Sequence, residues 1–164
     1  MTHRFPDGNP AGERRAVYAG SFDPFTLGHL SIAERAAAIF DRLIIAIGYN
    51  SAKAPLPQAL ESRRDAIVRA VDKLPEALRS RCEVMVYSGE LTVDLASRLG
   101  ARWLVRGART ATEFESEMAL ADINRRLAGV ETVIIPALPE LASCSSSVVR
   151  ELRSYGRDAA EFLP

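Results

Sequence analysis

The feature that most restricts this chain is a set of five short apolar, β-branched runs separated by helix-forming sequence. They are RAVYA (15–19), LIIAIG (43–48), EVMVY (83–87), RWLV (102–105) and TVIIPA (132–137). The second and fifth are continuously apolar, as parallel strands covered on both faces are. Between and after the runs, segments rich in Ala, Leu, Arg and Glu predict helices over about 28–40, 60–74, 92–99, 113–128 and 145–154. Strand followed by helix, five times over, points to a parallel sheet joined by right-handed crossovers. The expected fold class is therefore α/β, a doubly wound five-stranded parallel sheet. No repeat or low-complexity tract interrupts it, so residues 15–164 read as a single domain. Residues 1–14, polar with Pro and Gly, read as a disordered leader or an expression remnant.

Composition narrows the classes of partner. Lys plus Arg and Asp plus Glu both number 21, so there is no net charge to drive general binding to nucleic acid or a membrane surface. No run of about 18 apolar residues suggests a membrane span, and the N-terminus lacks the apolar core of a secretory signal. Cys82 and Cys144 are far apart, and with only two histidines a zinc site is not expected. Free thiols in the reducing cytoplasm are the simple reading.

The layout itself predicts a site. Open α/β sheets bind ligands outside the carboxyl ends of their strands, at the topological switch point. Ser21, Asp23, Thr26 and His29 follow the first run, and Asn50 and Lys53 the second. Ser88, Gly89, Glu90 and Thr92 follow the third. Arg106, Gly107 and Arg109 follow the fourth, and Ser143, Ser145, Ser146 and Ser147 the fifth. Hydroxyls, glycines and cations gathered on one sheet edge suit a polyanion, most simply phosphates.

Each cluster has a plain alternative. GSFDPFTLGHL (20–30) is a serviceable turn and helix cap, yet a cap requires neither Gly28 nor His29. At a helix N-terminus those two meet free N–H groups and a dipole that favour anions. RGAR (106–109) sets two guanidiniums around a glycine just past a strand, the arrangement that planar bidentate phosphate recognition uses. Most surface arginines are merely solvated. CSSSVVRE (144–151) offers three hydroxyls where a cap needs one. Lys53 has only its position after the second strand to recommend it. Arg125 and Arg126 read as helix decoration, and Trp103 as core. There is no catalytic triad, nucleophile elbow, Walker sequence or dinucleotide fingerprint. A site rich in phosphate ligands and poor in nucleophiles suggests catalysis by positioning and charge stabilisation.

GSFDPFTLGH resembles the Thr/His-x-Gly-His signature of the nucleotidyltransferase superfamily, and SSSVVRE resembles its second signature. AERAAAIFDRLIIAI, VRGARTATEFESEMALADINRRLAGVETV and SYGRDAAEFLP are similar to bacterial phosphopantetheine adenylyltransferases. The resemblance spans about residues 15–164 and implies a Rossmann-like nucleotidyltransferase fold. Thr26 supports this branch, since the related nicotinate mononucleotide enzymes usually carry His there.

The resemblance also implies roles. His29 matches the stabiliser of the transition state at the ATP phosphates. Ser21 matches a group touching both substrates, with Phe22 beside it. Gly107, Arg109 and Glu117 match ATP contacts, and Leu141, Ala142, Ser143, Cys144, Ser145, Ser146 and Ser147 the loop around adenine and triphosphate. Lys53 and Arg106 match the holders of the phosphopantetheine phosphate, and Thr92 a pantetheine contact. Ala108, Ser116, Cys144 and Thr92 depart from the commoner Leu, Tyr, Ile and an apolar residue. The implied reaction is in-line attack of 4′-phosphopantetheine on the α-phosphorus of ATP, giving dephospho-CoA and pyrophosphate without a covalent intermediate. Mg2+ would accompany the nucleotide phosphates rather than protein side chains. The resemblance further implies a homohexamer and CoA as a feedback ligand. The readings set against it are transfer to another phosphorylated small molecule, a non-catalytic nucleotide-binding paralogue, and a fragment of a class I aminoacyl-tRNA synthetase. The last should carry a Lys-Met-Ser-Lys-Ser-type loop, which is missing.

Overall fold

Val17, Leu43, Ile45, Ile47 and Val105 have no exposed surface, and strands are where so many β-branched side chains can be buried on both faces. The computed structural model describes residues 12–50, 52 and 56–164. Five strands form one parallel sheet: β1 (Arg15–Gly20), β2 (Arg42–Tyr49), β3 (Cys82–Ser88), β4 (Trp103–Ala108) and β5 (Glu131–Pro136). Their order is β3-β2-β1-β4-β5, with Ala16 paired to Leu43 on one side and Trp103 on the other. The expected α/β class and parallel sheet are what the structure has.

Helices α1 (Leu27–Ile39), α2 (Pro57–Val71), α4 (Thr92–Arg98), α5 (Ala111–Ala128) and α6 (Ser146–Ser154) match the five predicted segments. A sixth, α3 (Glu76–Arg79), is one short turn that the periodicity did not suggest. Alternate strand residues divide the core into two layers. Tyr18, Ile45 and Ile47 pack with Ala33, Ala36 and Ala37 of α1 and with Ile67 of α2. Val17, Ile44 and Ala46 pack with Val93, Leu95 and Ala96 of α4. The alanines of α1 let that helix lie close to the sheet, which brings its first turn to the strand ends.

Two sequence expectations need correction. β4 runs on to Ala108, so Arg106 and Gly107 belong to the strand rather than following it. β5 is an edge strand, and four of its six residues are half-buried or buried while both ends are exposed. Its apolar run is thus not covered on both faces. Among the described residues, no helix is long and apolar enough to cross a membrane.

Candidate active site

From β1 the chain builds outward through β2 to β3, then returns to build β4 and β5 on the other side. The sheet therefore reverses its direction of growth between β1 and β4, and a crevice opens at their carboxyl ends. A cavity of about 500 Å³ lies there. Gly20 at the end of β1 with Ser21 and Phe22 after it, Gly28 and His29 of α1, Arg106 and Gly107 of β4, and Arg109 just past it all line it. Leu141, Cys144, Ser145, Ser146 and Ser147 close the side nearest α6.

His29 is held by the cap of its own helix. The Thr26 N–H donates to His29 Nδ1 at 3.0 Å, and the Thr26 hydroxyl lies 3.1 Å from the same nitrogen. In return the His29 N–H donates to Thr26 Oγ1 at 3.4 Å, which completes a reciprocal capping box. Thr26 is 1% exposed, so this arrangement sits out of water. A nitrogen that accepts a backbone N–H cannot itself carry a proton. The neutral ring must therefore be protonated on Nε2, the nitrogen left to face the cavity. Phe25 stacks on the ring at 5.5 Å and Phe22 meets it edge-on at 5.1 Å. Burial, aided by the charge of Arg109, pushes the imidazole down to about 4, so His29 is a neutral donor at physiological pH.

Both site arginines are braced by glutamates of α5. Arg106 grips Glu117 with two bonds of 2.7 Å, from Nε and Nη2, and donates from Nη1 to the Ala19 carbonyl at 3.2 Å. That leaves one N–H on each terminal nitrogen for a ligand. The hydrogen bonds to Glu117 raise the guanidinium above its ordinary value, against the effect of burial. Arg109 pairs with Glu113, one turn before Glu117 on the same helix. Tyr18 lies under the cavity, and burial raises its phenol well above the usual range.

The α6 loop presents its hydroxyls through a cap. Ser145 is the N-cap of α6 and accepts the Val148 N–H at 3.2 Å, while Ser146 donates to the Pro24 carbonyl at 2.8 Å. Arg150, one turn into the helix, spans Ser147 Oγ at 3.2 Å and the Asp23 carbonyl. Gly28 is required here by packing: a Cβ on it would stand 2.9 Å from the Cys144 carbonyl oxygen. The glycine thus lets the serine loop close against α1, a reason the sequence did not disclose.

Not every expected residue gathers in this cavity. Glu117 turns to Arg106 at its margin, and Thr92 lines a separate space of about 170 Å³ reached past Arg106. Ala142 and Ser143 are exposed and do not line the main cavity. Lys53 lies outside the described residues. Among the described residues, no three His, Cys, Asp or Glu side chains stand together as a metal-holding group. Sequence reasoning missed Arg63, which reaches from α2 to the turn after β1, because nothing in a helical arginine marks it as a site residue.

The cytidylyltransferase-like family model matches residues 17–152. A phosphopantetheine adenylyltransferase of Porphyromonas gingivalis is 52% identical over 149 residues, covering 91% of this chain and 93% of that one. A protein of the same name from Bacteroides thetaiotaomicron is 43% identical over 151 residues, covering 92% and 95%. The chain belongs to the phosphopantetheine adenylyltransferase family. The fold alone is also shared with the nicotinic acid mononucleotide adenylyltransferase of Plasmodium falciparum, at a TM-score of 0.64 and 13% identity over 92% of this chain and 90% of that one.

The residues that depart from the resemblance noted in the sequence fall at definable places. Thr92 begins α4 with its hydroxyl 2.8 Å from the Tyr87 phenol, a polar pair at the rim of the smaller space. Ser116 is exposed and turned back on its own helix, donating to the Thr112 carbonyl at 3.0 Å. The Cys144 thiol donates to the Phe162 carbonyl at 3.4 Å, which ties the C-terminal turn to the serine loop.

Proposed function

We propose that this nucleotidyltransferase transfers the adenylyl group of ATP to 4′-phosphopantetheine, releasing pyrophosphate and forming dephospho-CoA. The observation that carries the reading is the neutral, donor-oriented His29 beside two braced arginines at the switch point of the sheet. A cavity of about 500 Å³ is of a size that holds a nucleotide. An oxygen of the acceptor phosphate forms a bond to the α-phosphorus while the bond to the bridging oxygen of pyrophosphate breaks. His29 Nε2 donates to the charge that grows on the α-phosphoryl oxygens, and Arg106 with Lys53 aligns the acceptor phosphate. Ser21, Phe22, Gly107, Arg109 and the 141–147 loop hold the nucleotide. Thr92 and the smaller space receive the pantetheine arm. Mg2+ would be held by the ATP phosphates, where it neutralises charge on the leaving group.

A homohexamer in the cytoplasm with CoA as feedback ligand completes the reading. What supports assembly is α5, which buries none of its residues and leaves Phe114, Met118, Leu120, Ile123 and Leu127 at 40–63% exposure. The deciding assay is pyrophosphate release from ATP and Mg2+ with 4′-phosphopantetheine, nicotinate mononucleotide or no acceptor. Release with phosphopantetheine alone is expected. Silence with every acceptor, from folded protein that binds ATP, overturns the reading in favour of a nucleotide-binding paralogue.

A further inference from the structure

A second layer stands behind the cavity wall. Arg63 of α2 keeps only 13% of its side chain exposed and does not line the cavity. Its Nη1 donates to the Ser21 carbonyl at 2.9 Å, and its Nη2 lies 3.0 Å from Asp23 Oδ1. Between those two anchors stands Phe22, whose φ of 45° places a non-glycine residue in the left-handed region. Such a conformation persists only where the surroundings impose it, and it concentrates at functional sites. The Phe22 ring is fixed by its contacts with Tyr18, Phe25 and His29. Arg63 supplies the complementary hold, on the backbone.

A planar trans peptide points its C=O and N–H in opposite directions. With the Ser21 carbonyl drawn toward α2, the Phe22 N–H turns away from α2, on the side where Ser21 and Phe22 line the cavity. Among the described residues that N–H has no acceptor. A backbone donor left without an internal partner at a cavity wall is uncommon and suits an anion.

We propose that Arg63 is a positioning residue that holds the Ser21–Phe22 peptide with its N–H directed into the cavity, as a donor to a phosphate of the nucleotide. This rests on the adenylyltransferase reading only for the identity of the anion. A lysine could not serve equally, because one ammonium cannot span the Ser21 carbonyl and the Asp23 carboxylate in a fixed plane.

The experiment follows the backbone amides of the 15N-labelled full chain by NMR as ATP and Mg2+ are added without acceptor. Wild type, Arg63→Met and Arg63→Lys are compared, each with its Tm and its KM for ATP. In wild type the Phe22 amide proton is expected to move downfield on ATP binding, as an N–H acquiring a phosphate acceptor does. Arg63→Met is expected to lose that response and to raise KM for ATP about tenfold, in keeping with one charge-assisted hydrogen bond. Arg63→Lys should fall between, and it supplies the readout if the Met variant does not fold. A tie that only steadied the fold would lower Tm and leave the Phe22 response intact. A wild-type Phe22 amide indifferent to bound ATP, or a folded Arg63 variant with the full response and KM within twofold, overturns the proposal. A protein showing the Phe22 response yet adenylating no phosphopantetheine overturns the functional reading instead.

Discussion

His29 can be tested without any turnover, because the chain has only two histidines and the other is His3. Its ordinary value near 6.5 is pushed down to about 4 by burial first and the charge of Arg109 second. The Thr26 N–H on Nδ1 adds a geometric reason, since a proton there would face another proton. The sign of the linkage follows. Between about 4 and 6.5 the unfolded chain binds a proton that the folded chain refuses, so stability is full above 6.5 and falls as the pH drops toward 4. A separation of roughly 2.5 units corresponds to about 3 kcal/mol at most, less whatever water in the open cavity screens. Urea unfolding of wild type from pH 7.5 to 4.5 should show this loss, and His29→Ala should flatten that part of the profile. Imidazole 15N spectra should show Nε2 protonated and Nδ1 bare throughout pH 7.5–5. A ring that titrates near 6.5, or one protonated on Nδ1, refutes the argument.

The same reasoning bears on catalysis, because it makes His29 a neutral donor rather than a cation. Removing one preorganised donor costs on the order of 10²–10³ in kcat, so His29→Ala should lose that much or more while substrate binding changes much less. A loss of less than threefold would sink the assigned role. His29→Gln, whose amide nitrogen reaches toward the place of Nε2, should retain more activity than His29→Asn, which reaches only the place of Nδ1.

Two further substitutions separate neighbouring roles. Gly28→Ala would ordinarily favour a helix by roughly 0.5–1 kcal/mol, but here the new Cβ meets the Cys144 carbonyl oxygen at 2.9 Å. The net change should be a loss of about 1–3 kcal/mol with weaker ATP binding, and a raised Tm in thermal unfolding would show the serine loop to be free to move. Glu117→Gln should raise KM for the acceptor about tenfold and leave KM for ATP within twofold, because both carboxylate oxygens are on Arg106. The opposite split in steady-state kinetics would make Glu117 a nucleotide contact.

The sheet was legible because its strands are short apolar runs, and runs of that kind have few other places to go. Boundaries were less legible: Arg106 and Gly107 look like loop residues, yet they continue the β4 ladder opposite Ile134 and Ile135. α3 left no pattern because four residues after Pro75 are too few to show a period. The front of the site was legible for the same reason as the sheet. Strand ends are fixed by the topology, so Ser21, Arg109 and Ser145 to Ser147 come to one cavity, while Arg106 reaches it from within β4 and Ser143 and Thr92 stay out of it. Gly28 was also singled out, but as part of an anion-favouring helix N-terminus, and its contact with Cys144 lies 116 positions away in sequence where no local pattern records it.

The rear of the site obeys a different rule. Arg63 and Arg64 are adjacent in the same helix and look equivalent in SRRD, but successive helical residues differ by about 100° in direction. That rotation sends Arg63 to the Ser21 carbonyl and leaves Arg64 half-exposed beside Asp65. Only the packing of α2 on the sheet decides which of the two reaches the turn. Strand ends declare the groups that can face a ligand, whereas the groups that aim them come from helices whose orientation is settled by the core. The division explains why a sequence motif can contain Ser21, Phe22 and His29 and still omit the arginine that binds the Ser21 carbonyl.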